Sequence, residues 1–211
     1  MRLTDFVKEY GELYSRVLGI NLATHHNSQL VRWFLASILY SKPIRESSAT
    51  RTYKYFEKHG VLTVDKILKT RWDGLVAILD EGGYTRYDFS TADKLLEVFG
   101  NLRKVYKGSL NLLHHRAADS SDLERRLKAL GKGIGDTTVS VFLRDLRNIW
   151  PKARPSPSPL VQQAMRKLGI ENLEGFAKET NLDVARLETA LLRLSKDFLR
   201  KGRTITIEVA S

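Results

Sequence analysis

The chain has 211 residues, 42% hydrophobic and 28% charged, so it can bury a core without a disulfide or metal staple and is too apolar for disorder or a fibre. The absence of cysteine excludes a disulfide framework, a thiolate zinc site, a cysteine nucleophile and a thiolate-held iron–sulfur cluster, and no cofactor is expected. Lys and Arg number 35 against 24 Asp and Glu, a net charge of +11 spread along the chain, which favours a polyanionic partner and nucleic acid over an anionic membrane.

Almost every segment reads as helix. Residues 3–18 place Leu3, Phe6, Val7, Tyr10, Leu13, Tyr14, Val17 and Leu18 at three- and four-residue spacing, which predicts one amphipathic helix. This N-terminal stretch lacks the apolar core of a signal peptide and no apolar run could span a bilayer, so a cytoplasmic or nucleoid location without membrane contact is expected. Residues 27–40, capped by Asn27 or Ser28, are apolar on most sides and predict a buried helix that ends at Lys42-Pro43, because a residue before proline avoids helical geometry. Helices are expected over 47–60, closed by Gly60, over 63–70, and over 72–83, closed by Gly82 and Gly83. Two more are expected, over 90–108 with Ser90 or Thr91 as cap and over 119–130 capped near Ser120 or Ser121. Residues 151–159 hold four of the five prolines and read as an ordered connection, followed by helices over 158–169, 172–180 and 183–202. The alternating, β-branched residues 203–211 read as a short strand or extended tail. The fold class is therefore all-α. Trp33, Trp72 and Trp150 are read as core. The adjacent pairs His25-His26 and His114-His115 point different ways along a helix or strand, so no metal site is expected.

The most specific feature is LKALGKGIGDTTVSVFLRDL, residues 127–146. One helix ends at Leu130-Gly131, a Gly133-Ile134-Gly135 turn follows, and a second helix starts near Asp136. Two glycines around one aliphatic residue make a tight turn with outward-facing amides beside the positive end of the next helix, and both favour a bound phosphate. Ile134 would plug the space between the helices, and Lys132 adds charge. No strand precedes the turn, which argues against a dinucleotide-binding loop. The other reading is an ordinary connection within a helical bundle.

The hairpin, its spacing to WPKARPSPSPLVQQAMRKLGI and the helices before it resemble the helix-hairpin-helix DNA glycosylase superfamily, the group of endonuclease III and the archaeal 8-oxoguanine glycosylases. KGIGDTTVSVFLRDL is most similar to the archaeal 8-oxoguanine branch. The resemblance covers roughly residues 28–170. It implies two helical subdomains with a cleft between them: residues 28–146, ending in the helix-hairpin-helix, and 1–27 with 147–211. It also implies an enzyme that extrudes a damaged nucleotide from double-stranded DNA. Lys132, Gly133, Ile134, Gly135, Thr137 and Thr138 would form the DNA-binding hairpin. The position of the family's nucleophilic lysine falls on Thr137 and that of its aspartate on Ser158, and residues 151–159 contain no acid at all. Neither threonine nor serine can replace those groups, though Ser158-Pro159 keeps the form of a helix cap.

Replacement groups are Lys42, Asp136 and Asp88. Lys42, just after the core helix, is either an amine nucleophile or a phosphate contact. Asp136 is either a relocated acid or a first-turn carboxylate facing the helix dipole. Asp88 is either an acid near the cleft or a helix cap. In the loop before Asp88, Tyr84 and Tyr87 could stack on a base. Asp145 is read as a surface or ion-pair residue. The expected function is base-excision repair by a monomeric DNA glycosylase, with AP-lyase activity as an added step. The alternatives are a catalytically silent DNA-binding protein, a damage sensor or recruiter, and a helical interaction module.

Overall fold

A computed structural model describes residues 1–203 and 205–209. Its helices are α1 (Leu3–Tyr10), α2 (Tyr14–Val17), α3 (Asn27–Tyr40), α4 (Glu46–Lys58), α5 (Val64–Glu81), α6 (Asp88–Tyr106), α7 (Leu110–Arg116), α8 (Ser120–Lys128), α9 (Asp136–Arg144), α10 (Pro159–Leu168), α11 (Leu173–Glu179) and α12 (Val184–Arg193). Short 3-10 and π turns follow α2 and α12. The fold is all-α, and no strand occurs among the described residues. No described helix is long and apolar enough to cross a membrane. The chain divides into two units, Met1–Gly19 with Leu143–Ser211, and Ile20–Phe142.

In the first unit the helix expected over 3–18 is broken, and α1 and α2 share its length. Gly11 caps α1 at the break and is buried; a Cβ there would sit 2.3 Å from the Val7 carbonyl and 2.8 Å from that of Arg186. The carbonyls of Tyr10 and Glu12, freed by the break, accept from Arg193 Nη1 of α12. Phe6 and Val7 of α1 enter a core with Val161, Ala164, Leu187, Ala190 and Leu191 from α10 and α12. Ser158 caps α10 with Pro159 in the first turn, as the Ser-Pro pair predicts. The extended tail makes one parallel bridge to the N-terminus, Leu3 N–H donating to the Glu208 carbonyl at 3.0 Å. Thr204, Ala210 and Ser211 of the expected tail lie outside the described residues.

The same unit buries a charged network. Arg147 Nε meets Glu188 at 2.6 Å with both side chains almost fully enclosed. Arg144 pairs with Asp145 at 3.1 Å, and Asp145 accepts the Ser15 amide at 3.0 Å. Arg144 and Arg193 each lie 4.7 Å from the Tyr14 ring centroid. Burial raises the Glu188 carboxyl above its ordinary range against the pull of Arg147. Removing one member of such a pair leaves an uncompensated charge and costs about 3–5 kcal/mol. Asp145 is thus an ion-pair residue but not a surface one.

In the second unit α5 packs along α6 and α3 along α4. Trp33, Phe34, Phe56, Phe99 and Phe142 are fully buried, and the Trp33 indole donates to the Phe142 carbonyl at 3.0 Å. The segments expected as helices over 63–70 and 72–83 are one element, α5, interrupted at Arg71, whose φ of 60° and ψ of 178° are far from helical. Helix α6 starts at Asp88, before the expected caps Ser90 and Thr91; α8 is capped by Asp119, one residue before the expected serines. Trp150, in the first unit, is buried, but Trp72 is only half-buried, 5.1 Å from the exposed Phe89 ring.

Candidate nucleic-acid interface and amine pair

The connection between α8 and α9 is set by α6, against which it lies. Gly131 sits so close that a Cβ would meet Val98 at 2.7 Å and Glu97 at 3.2 Å. Asn101 Nδ2 donates to the Leu130 carbonyl at 2.8 Å, and Lys94 Nζ to the Gly133 carbonyl at 3.0 Å. Two side chains of one α6 face therefore fix two turn carbonyls toward the protein. Gly133, with φ of 85°, reverses the chain there, a conformation that glycine alone adopts without cost. Ile134 is 5% exposed and folds inward, its amide donating to the Gly131 carbonyl at 3.2 Å.

Lys132, Gly133, Gly135, Asp136 and Thr137 are exposed. The Val139 amide closes the first turn of α9 on the Gly135 carbonyl at 3.1 Å, so the amides just before it have no helical acceptor. A Cβ on Gly135 would meet nothing within 4 Å. This is an open, donor-rich surface at a helix N-terminus, suited to an anion. Thr138 is buried, so its hydroxyl side faces the core, while Thr137 remains outside.

Of the proposed acids, Asp136 points to solvent with its side chain 92% exposed and pairs with Lys128. Asp88 is half-buried, and its Oδ1 accepts the Phe89 amide at 2.6 Å. Burial first, and then the Asp88 carboxylate, raise the Asp80 carboxyl above its ordinary value. Asp88 is thus engaged at the start of α6 by a backbone amide. Tyr84 is 2% exposed and donates its hydroxyl to the Leu39 carbonyl at 2.7 Å, so its ring is core and offers no face to a base. Tyr87 is half-buried, with Lys42 Nζ 5.1 Å and the Arg86 guanidinium 5.5 Å from its centroid.

The Lys42 charge also acts on Lys94, a residue that sequence reasoning passed over. Lys94 is 8% exposed. Burial and then the Lys42 charge pull its ammonium down to about 8. Thr91, one turn earlier on the same face of α6, is fully buried and its Oγ1 has no partner. The signal in the sequence was a lysine inside the apolar stripe Thr91, Leu95, Val98, Leu102.

Among the described residues no group of three or more His, Asp or Glu side chains could hold a metal ion. A shallow groove in the first unit, lined by Gln162, Met165, Arg166, Gly169, Ile170 and Glu171, includes none of the residues above. Comparison with known protein families, with curated proteins and with solved structures returned no match.

Proposed function

We propose that the chain is a base-excision repair protein: it binds double-stranded DNA through residues 131–137 and acts on a flipped, damaged nucleotide as a DNA glycosylase with AP-lyase activity. The observation that carries this reading is the meeting of two functions at Gly133. Its outer side belongs to the donor-rich turn, and its carbonyl accepts from the buried Lys94 amine. The net charge of +11 supports a polyanionic partner, and the hairpin residues' resemblance to the glycosylase superfamily supports DNA. The protein then works as a monomer on DNA in the cytoplasm or nucleoid.

Titration of a labelled duplex should give affinity that falls linearly with salt on logarithmic axes. Incubation with duplexes carrying uracil, 8-oxoguanine, alkylated bases or hypoxanthine should release one of these bases or nick the strand. A second reading, a catalytically silent DNA-binding protein, is favoured by the carboxylates: Asp136 pairs with Lys128, and Asp88 accepts the Phe89 amide. Salt-dependent binding with no turnover on any substrate decides for it. No duplex binding at low salt removes both.

A further inference from the structure

We infer that the end of the α5–α6 pair carrying Lys66, Lys69, Arg103, Lys104 and Lys107 is a second contact for the phosphate backbone, reached along α6 from the turn at 131–137. The inference rests on the DNA-binding reading above and extends the bound duplex beyond that turn.

The sequence holds no polybasic run, and packing is what gathers the charge. Asp65 pairs with Arg103, and the Trp72 indole donates to Asp93 Oδ1 at 2.9 Å. The two helices therefore run antiparallel, and the start of α5 lies beside the end of α6. Residues 64–71 and 98–107 together hold six Lys and Arg and one carboxylate, Asp65, which Arg103 occupies. At the opposite end, residues 72–81 and 88–97 hold six Asp and Glu and one lysine, the buried Lys94. The pair is thus charged oppositely at its two ends. Lys66, Lys69, Arg103, Lys104 and Lys107 are all exposed. Arg116 of α7 joins them: its Nη1 donates to the Val105 carbonyl at 3.1 Å, with the guanidinium 5.9 Å from the Tyr106 ring centroid.

Helix electrostatics explains the lysines of α6 but not those of α5. Cations at the end of α6 suit its negative pole, whereas Lys66 in the first turn of α5 and Lys69 in the second face a positive pole that disfavours them. With no carboxylate left on these helix ends to neutralise them, they fit an external polyanion. A membrane surface fits less well. An interfacial helix needs an apolar face, and Val105 is the one large apolar residue exposed on these ends. The position also suits the turn. Lys94 and Asn101 hold turn carbonyls on one side of α6, and Lys104 stands one turn beyond Asn101 on that side. From Lys94 to Lys104 and Lys107 the helix advances about 15–20 Å, the length of about five phosphates along one strand. The acidic end lies the other way and repels a duplex, so the duplex runs from the turn toward Lys104 and away from Asp93.

The test is the salt dependence of binding. The full chain is titrated with a labelled duplex of two helical turns over a series of salt concentrations, and melting temperatures are measured in parallel. The triple variant Lys69→Gln, Lys104→Gln, Lys107→Gln should lower the slope of log affinity against log salt by about 3, one phosphate for each lysine. The control, Lys8→Gln, Lys167→Gln, Lys178→Gln, removes the same charge from exposed positions of the first unit and should keep the parental slope. Lys104→Gln alone should lower the slope by about 1, which decides the matter if the triple variant melts early. An unchanged slope in the patch variants, or an equal fall in the control, overturns this inference and leaves DNA binding by the turn standing. Vesicles of phosphatidylserine and phosphatidylcholine form the second arm: patch-dependent binding to them, with an unchanged duplex slope, assigns the surface to lipid and also overturns it. Absence of duplex binding by the parent overturns the DNA reading and this inference with it.

Discussion

Gly135 separates stability from DNA contact more cleanly than any other residue of the turn. It precedes α9, its φ is not in the left-handed region, and a Cβ there meets nothing within 4 Å. Serine is a good helix cap, so Gly135→Ser should change stability by only a few tenths of a kcal/mol, about 1 °C in melting temperature. The new hydroxyl accepts an amide from the first turn of α9, which withdraws that donor from any bound phosphate and fills the open surface. A hydrogen bond to a charged group is worth about 1.5–3 kcal/mol, so duplex affinity should fall roughly 10- to 100-fold. Circular-dichroism melting and anisotropy titration with a labelled duplex measure the two quantities. Gly133→Ala is the contrasting variant: its φ of 85° and the 2.8 Å approach to Lys94 predict a loss of about 1–2 kcal/mol, so it cannot isolate binding. If Gly135→Ser melts and binds like the parent, the turn amides do not hold phosphate and the assignment of residues 131–137 is wrong.

Other variants address the remaining parts. Lys132→Gln, at an exposed position in the turn, should lower the slope of log affinity against log salt by about 1 if that lysine neutralises one phosphate. An unchanged slope would place Lys132 outside the contact. Arg71→Gly should raise the melting temperature by about 2 °C, since φ 60° and ψ 178° cost an L-residue more than glycine loses in chain entropy. A lower melting temperature would mean that Arg71 contributes through its side chain. Asp122 is held down at about 2 by Arg126 first, then by the Ala118 amide and Arg125. A folded value below the ordinary 3.8 gives stability that is present above pH 3.8 and lost as pH falls toward 2. Asp122→Asn should therefore melt below the parent at neutral pH and converge with it across that acid window; a constant gap down to pH 2 contradicts the pairing.

The sequence showed what depends on neighbours along one helix and concealed what depends on other elements. Periodicity located most of the helices, and the Ser158-Pro159 cap is a local pattern that survives intact. The close packing at Gly11 was hidden because the Arg186 carbonyl, which leaves no room for a side chain there, belongs to α12. Tyr84 follows two glycines and looked like a loop aromatic, but α3 supplies the Leu39 carbonyl that anchors it inside. Lys94 was half legible: its place inside the apolar stripe of α6 signals burial, but its partner, the carbonyl of a turn almost forty residues away, leaves no mark on that helix.

The carboxylates and amines of the second unit demand different things of a substrate. Cleaving an intact glycosidic bond develops positive charge on the sugar, which a nearby carboxylate stabilises and an ammonium opposes. Asp136 is turned to solvent and Lys128, Asp88 accepts the Phe89 amide, and the charge that acts on Lys94 is that of Lys42. An abasic sugar already carries its aldehyde and needs an amine rather than an anion. Under the proposed repair reading, strand cleavage at a preformed abasic site should therefore exceed removal of any damaged base on matched duplexes. Base release as fast as strand cleavage would require a carboxylate that neither Asp88 nor Asp136, as placed, provides.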